Sequence, residues 1–175
     1  KASEYKITYK LNKGKNNTAN PKTYTSEDEI KFKKPTRSGY HFVGWYTDSK
    51  YKNQISVIEK GSEGSLTLYA KWTPNKYTVS YNANGGSGSM SNQSFTYDQA
   101  QNLTANGFTK IGYTFAGWAT SANGEVKYTN QQSVKNLTAT NGATVNLYAK
   151  WVANTYTIKF DSNGGTGTMT DIHAT

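Results

Sequence analysis

Polar and apolar residues alternate one by one over several short stretches of this chain. Tyr5, Ile7 and Tyr9 fall on one side of the first such stretch, and Lys6, Thr8 and Lys10 on the other. Successive side chains of an extended backbone point to opposite faces, so this two-residue period predicts a half-buried strand. The pattern returns at Tyr77, Val79 and Tyr81, and again at Tyr156, Ile158 and Phe160. A second alternating run sets Leu66, Leu68, Ala70 and Trp72 against Thr67, Tyr69 and Lys71, and it too returns, as Val145, Leu147, Ala149 and Trp151. Between the two runs lies Gly39-Tyr40-His41-Phe42-Val43-Gly44-Trp45, matched later by Gly112-Tyr113-Thr114-Phe115-Ala116-Gly117-Trp118. In this middle stretch Tyr113 and Phe115 share a face, and Gly117 allows a bulge that turns Trp118 toward the same core.

Landmarks that recur in fixed order define a repeat array. Residues 1–75 form a first repeat, 76–154 a second, and 155–175 the truncated start of a third. Both ends look like cuts in a larger protein. The second copy gains length early and between Trp118 and Tyr148, which marks those segments as surface loops. Thr73-Pro74-Asn75-Lys76 and Val152-Ala153-Asn154-Thr155 join the repeats. Four residues reach roughly 13–14 Å at most, so the sequence predicts closely spaced repeats and a semi-stiff array.

After the opening strand, Asn84-Gly85-Gly86 and Asn163-Gly164-Gly165 predict a tight hairpin turn, because both central positions tolerate positive φ. The first copy departs from this with Asn12-Lys13-Gly14. A second strand is expected near residues 22–24 and 93–97. Helical signals are few: a capping box at Ser26-x-x-Glu29 before Ile30 and Phe32, a cap at Asp98 before 99–103, and residues 130–138 with Val134 and Leu137 three apart. The expected fold class is therefore α+β and β-rich, with one sheet and a short helical piece in each repeat.

Composition narrows the classes. Fourteen Tyr, six Phe and four Trp supply the bulk for small aromatic cores, and units of this size are marginally stable alone. No apolar run reaches the 18 or so residues of a membrane span. Cysteine is absent, which excludes disulfides, thiolate zinc sites and a Cys nucleophile. The net charge of +9 is uneven: residues 1–76 carry fifteen Lys or Arg against seven acids, and residues 77–154 carry four against two. The scaffold cannot require the charge, so at most one copy uses it.

The opening strand, Asn-Gly-Gly, Gly-Tyr-x-Phe-x-Gly-Trp and Leu-Tyr-Ala-Lys-Trp, taken together, resemble the Listeria–Bacteroides repeat family, the B-repeat type of internalin-like surface proteins. The resemblance covers nearly the whole chain. It implies tandem small β-grasp-like (ubiquitin- or SUMO-like) folds in secreted or wall-anchored bacterial proteins, an extracellular location, and a role as spacer or adhesive module. It carries no catalytic residues and no cofactor.

Each candidate for chemistry has a plainer competitor. Tyr40, Phe42, Trp45, Trp72, Tyr113, Phe115, Trp118 and Trp151 could stack on sugars, but their place on apolar strand faces assigns them to the structural core. Tyr69 and Tyr148, beside Lys71 and Lys150, are better placed for exposed contact. The clusters 85–88 and 164–167 lack the Lys and following helix of a phosphate loop. His41 and His173 have no second imidazole or carboxylate at ligand spacing, and His41 faces Thr114 in the other copy, which argues against a catalytic base. The four Asn-x-Ser/Thr sites, at Asn16, Asn92, Asn102 and Asn136, mark polar loops. The strongest ligand candidates are Lys31, Lys33, Lys34 and Arg37, with Lys10, Lys13 and Lys15. A basic face of this kind attracts anionic polysaccharide such as glycosaminoglycan or teichoic acid, with salt-sensitive affinity. Nucleic acid is not expected as a partner. The strand within 155–175 is expected to lack order or to pair with another molecule.

Overall fold

The structure is a computed structural model and describes residues 2–175. In the first copy the chain forms β1 (Glu4–Lys10), β2 (Thr23–Thr25), β3 (Ile30–Lys31), β4 (Tyr40–Tyr46), β5 (Gln54–Ile55), β6 (Val57–Ile58) and β7 (Leu66–Pro74). The second copy follows with β8 (Lys76–Asn82), β9 (Gln93–Thr96), β10 (Gln101–Asn102), β11 (Tyr113–Ala119), β12 (Ser133–Val134) and β13 (Thr144–Ala153). The last segment gives β14 (Tyr156–Ile158) and β15 (Ile172–Ala174).

The alternating runs become the centre of each sheet. The first sheet has the order β2-β1-β7-β4-β5, and the second the matching order β9-β8-β13-β11. β1 lies parallel to β7, with Ile7 beside Leu66 and Lys10 beside Tyr69. β8 lies parallel to β13, with Thr78 beside Thr144 and Asn82 beside Tyr148. β4 and β11 run antiparallel to β7 and β13 on the other side. In both antiparallel pairs the register slips by one residue, between Phe42 and Gly44 and between Phe115 and Gly117. The slip is the bulge expected from the glycine. It sets residues three apart on one face, so the Phe42 ring meets Trp45 at 5.3 Å between centroids and Phe115 meets Trp118 at 4.9 Å.

The chain folds as two compact units. Unit 1 holds the residues up to Tyr77 together with Phe95–Gln99 and Lys135–Ala143, and unit 2 holds Thr78–Ser94, Ala100–Val134 and Thr144–Thr175. The core of unit 1 centres on Ile7, Tyr24, Trp45, Ile58, Leu68 and Ala70, with Phe42 and Trp72 half-buried against it. Unit 2 buries Val79, Tyr81, Leu103, Phe108, Trp118, Leu147 and Ala149. Phe115 and Trp151 stand half-buried at its edge, their rings 5.7 Å apart. Two residues expected in the core lie elsewhere. Tyr113 is 40% exposed, and Tyr40 is half-buried away from the Trp45 cluster. Both sit at the start of their strand, beyond the bulge, opposite Ala153 and Pro74 at the far ends of β13 and β7.

No helix occurs among the described residues, which corrects the helical part of the expected fold class. The Ser26 capping box fails because Asp28 folds back instead. Its carboxylate accepts from the Thr25 amide at 2.7 Å and the Thr25 hydroxyl at 2.9 Å. Ile30 then pairs with Ile58 and Lys31 with Val57; the Ile30–Phe32 spacing is strand spacing. At Asp98 the backbone takes φ 63, outside helical space, and Gln101 and Asn102 pair with Val134 and Ser133. Left-handed residues at Gln131 and Asn136 interrupt the third helical signal.

The Asn-Gly turn forms as expected, at the start of the link between two neighbouring strands. Asn84 and Gly85 both have positive φ, and Gly86 N–H donates to the Ala83 carbonyl at 3.0 Å, so the tight turn forms. It leads from β8 toward β9, its neighbour in the sheet, but does not close that hairpin by itself. It turns the chain so that Ser87 bridges Thr109, and β9 returns later. The first copy makes the same turn without the glycine: Asn12 and Lys13 take φ 48 and 68, and Lys15 bridges Thr36. In the last segment β14 pairs with β15 in its own chain, Tyr156 opposite Ala174 and Ile158 opposite Ile172, which corrects the expectation that this strand has no partner there.

Candidate functional site

The basic residues of the first copy are gathered by backbone bonds between two loops. Lys15 and Thr36 exchange N–H···O bonds at 2.7 and 2.9 Å. Asn20, only 7% exposed, takes the Lys33 amide on Oδ1 at 2.7 Å and donates Nδ2 to the Lys33 carbonyl at 2.9 Å. That carbonyl also accepts from Trp45 Nε1 at 3.2 Å. Asn17 Nδ2 reaches the Lys34 carbonyl at 3.4 Å. Lys13, Lys15, Lys33 and Lys34 are thus carried by two clamped loops with exposed side chains. The other candidates are committed elsewhere. Lys31 pairs with Glu29 at 3.2 Å in an exposed ion pair, Lys10 is held in β1 opposite Tyr69, and the Arg37 guanidinium lies 3.5 Å from the centre of the Tyr40 ring.

Arg37 and Tyr40 belong to a second constellation, wholly within unit 1, that the sequence did not signal. Tyr40 Oη donates to Asp98 Oδ2 at 2.8 Å, and its ring meets Tyr97 edge-on at 5.8 Å. Asn136 Nδ2 donates to Asp98 Oδ1 at 2.8 Å, while the Asp98 amide donates to Asn136 Oδ1 at 2.6 Å. The bond from Asn136, then that from Tyr40, hold the Asp98 carboxyl below its ordinary range. The bond to Asp98, then burial, raise the Tyr40 phenol. Below this cluster Asn75, 7% exposed, accepts the Tyr97 amide on its carbonyl at 2.8 Å and donates Nδ2 to the Ala139 carbonyl at 2.7 Å. His41 is exposed, and its Nδ1 lies 3.3 Å from Asn75 Oδ1. In unit 2 Thr114 Oγ1 donates to Asn154 Oδ1 at 2.7 Å. A residue that a threonine replaces in kind orients an asparagine.

The remaining aromatics are tied into the sheets. Trp72 Nε1 donates to the Leu11 carbonyl and Trp151 Nε1 to the Ala83 carbonyl, each at 2.9 Å. Tyr69 and Tyr148 are half-buried, and the Lys71 ammonium lies over the Tyr46 and Tyr51 rings. His173 Nδ1 is 3.1 Å from the Thr157 hydroxyl. Among the described residues no three of His, Cys, Asp and Glu gather as a metal site, and no helix is long and apolar enough to cross a membrane.

Two sheets of one topology, with the same bulge, the same turn and the same bond from the last tryptophan of each copy, define a tandem-repeat protein built from a single small β-rich unit. The comparisons with known proteins agree: a profile of the Listeria-Bacteroides repeat domain matches residues 5–71 and again 77–150, and the chain belongs to that family. It is 34% identical over 131 residues to a putative Gly-rich membrane protein of Evansella cellulosilytica, covering 75% of this chain and 14% of that protein. A putative membrane protein of the same organism is 33% identical over 134 residues, covering 75% and 18%. Internalin H of Listeria monocytogenes is 32% identical over 126 residues, covering 69% and 20%. The chain spans a fifth or less of the length of each of these relatives.

Proposed function

We propose that the chain is a non-enzymatic spacer of a bacterial cell-surface protein, made of force-resisting repeats at 1–75 and 76–154 with the start of another at 155–175. The carrying observation is the parallel pairing of the first and last long strands of each repeat, β1 with β7 and β8 with β13. Tension enters such a repeat at the start of one strand and leaves at the end of its neighbour. The two are then pulled in opposite directions along their common axis, and the whole ladder of hydrogen bonds resists in shear rather than opening one bond at a time. The order β2-β1-β7-β4 around a parallel central pair supports a β-grasp-like reading, and the β3–β6 pair packs on its core through Ile30 and Ile58. The surface location rests on relatives named as an internalin and as membrane proteins. Single-molecule stretching of the chain tests the spacer reading. Two separate force peaks are expected, each freeing on the order of 200 Å of contour from some 65 residues of extended chain. Extension without resolved peaks would overturn it.

A second reading, adhesion to host or cell-wall anionic polysaccharide, is favoured by one observation, the clamping of the Lys15 and Lys33–Lys34 loops against each other. The quadruple change of Lys13, Lys15, Lys33 and Lys34 to Gln is expected to lower the salt needed for elution from heparin. The same change at Lys110, Lys127, Lys135 and Lys150 should leave most of the retention. Equal losses would mean that only net charge matters.

A further inference from the structure

The Arg37–Tyr40 cluster has an uncovered twin. Lys110 in unit 2 lies 4.1 Å over the Tyr113 ring, as Arg37 lies over Tyr40. Asn154 N–H donates to the Gly112 carbonyl at 2.8 Å, as Asn75 N–H does to Gly39. Thr114 orients Asn154 from the position that His41 holds beside Asn75. Gly39 and Gly112 share a left-handed backbone, φ 74 and 77. The two faces differ in what rests on them. Gly39 and Asn75 are buried, and a Cβ on Gly39 would run into the Tyr97 ring. Gly112 and Asn154 are exposed, and nothing lies within 4 Å of a Cβ placed on Gly112. Ile111 beside them is 100% exposed, where the first copy has Ser38.

We propose that the Gly112–Tyr113–Asn154 face is a socket for the tyrosine–aspartate turn of a further repeat of the same kind. The occupied twin fixes the occupant's chemistry: an aromatic ring against the glycine, a carboxylate that accepts from the tyrosine hydroxyl, and a backbone amide and carbonyl that bond the asparagine. Lys110 supplies a cation toward the incoming carboxylate, and Ile111 gains cover. Because Thr114 and Gly112 already hold the Asn154 side chain and amide, little ordering of that residue is lost on docking. The inference rests on the repeat-spacer reading, but its test is separate from the stretching experiment.

The probe is the full chain in which a second copy of residues 76–154 follows Asn154 in place of 155–175, so that one residue separates Asn154 from the added repeat's opening tyrosine as Lys76 separates Asn75 from Tyr77. Tetranitromethane nitration, mapped by peptide mass, is expected to modify Tyr113 at least fivefold more slowly in the extended chain than in the parent. Changing the added repeat's Tyr-Asp pair to Ser-Ala should restore the parent rate. An unchanged Tyr113 rate in an extended chain whose added tryptophans are buried would overturn the socket. In the parent chain, Tyr97→Ser with Asp98→Ala should bring Tyr40 up to the reactivity of Tyr113. If Tyr40 stays protected there, the tyrosine–aspartate turn is not the occupant, and the proposal fails whether or not the extended chain folds.

Discussion

Trp45 and Trp118 hold the same place in the two copies, but their indole N–H groups end differently. Trp45 Nε1 donates to the Lys33 carbonyl, whereas Trp118 Nε1 is buried with no partner among the described residues. An unpaired buried donor carries a desolvation penalty of about 1–3 kcal/mol, and a made bond contributes about 1 kcal/mol. Trp118→Phe removes a penalty along with ring volume, and Trp45→Phe removes a bond along with the same volume. Urea unfolding is expected to show Trp45→Phe the more destabilising by ~1–2 kcal/mol, and equal costs would refute this account. The tryptophans themselves were legible in the sequence, because the glycine before each allows a bulge that turns it toward the same core as the aromatics preceding it. The asparagines that organise the loops were not. Asn20 and Asn75 read as loop residues, yet both are 7% exposed. Their burial depends on the peptide groups of residues 33, 97 and 139, which are distant in sequence.

At the scale of elements, the two-residue period located β1, β7, β8 and β13, and the paired glycines located both bulges. Helices were misread because each signal was local. A carboxylate three residues after a hydroxyl suits either a cap or a turn, and the partner strand decides which; Ile30 and Lys31 had Val57 and Ile58 to pair with. The turn after β1 shows how a missing glycine is tolerated. Lys13 stands in the left-handed position that Gly85 fills in the other copy, and an L residue there costs about 1 kcal/mol or more. Lys13→Gly should therefore raise stability by ~0.5 kcal/mol after the added freedom of the unfolded chain is counted. Lys13→Val should lower it, as read from the shift of the urea midpoint. Gly14→Ala in the same turn meets the Trp72 ring at 2.5 Å from the new Cβ, so only the position before it gains from a change.

For the whole molecule, titration sets the pH range of stability. Burial pushes the Tyr9 phenol up to about 12, from an ordinary 10.0, while its Oη donates to the Pro21 carbonyl at 2.7 Å. Tyr24 shifts the same way through burial. The folded chain holds these protons more tightly than the unfolded one, so their contribution is complete below pH 10 and disappears as pH rises toward 12. On the acid side, bonds from the Thr25, Asn53 and Asn136 groups lower Asp28, Asp48 and Asp98 below the usual 3.8. That contribution is present above 3.8 and fades as pH falls below it. Thermal melts across pH should show a plateau with both limbs, and Tyr9→Phe should flatten the alkaline one. An alkaline limb unchanged in Tyr9→Phe would assign it to other groups. The charge imbalance between copies was legible from the sequence alone, but the loops that collect it were not, because the asparagine clamps are tertiary.

The side-by-side, same-direction course of β1 and β7 has a genetic corollary. A chain that enters at one extremity of a strand pair and departs at the opposite extremity needs no rerouting when its coding segment is duplicated or lost. Copy number can therefore drift by unequal crossing-over while every remaining module keeps its own wiring intact.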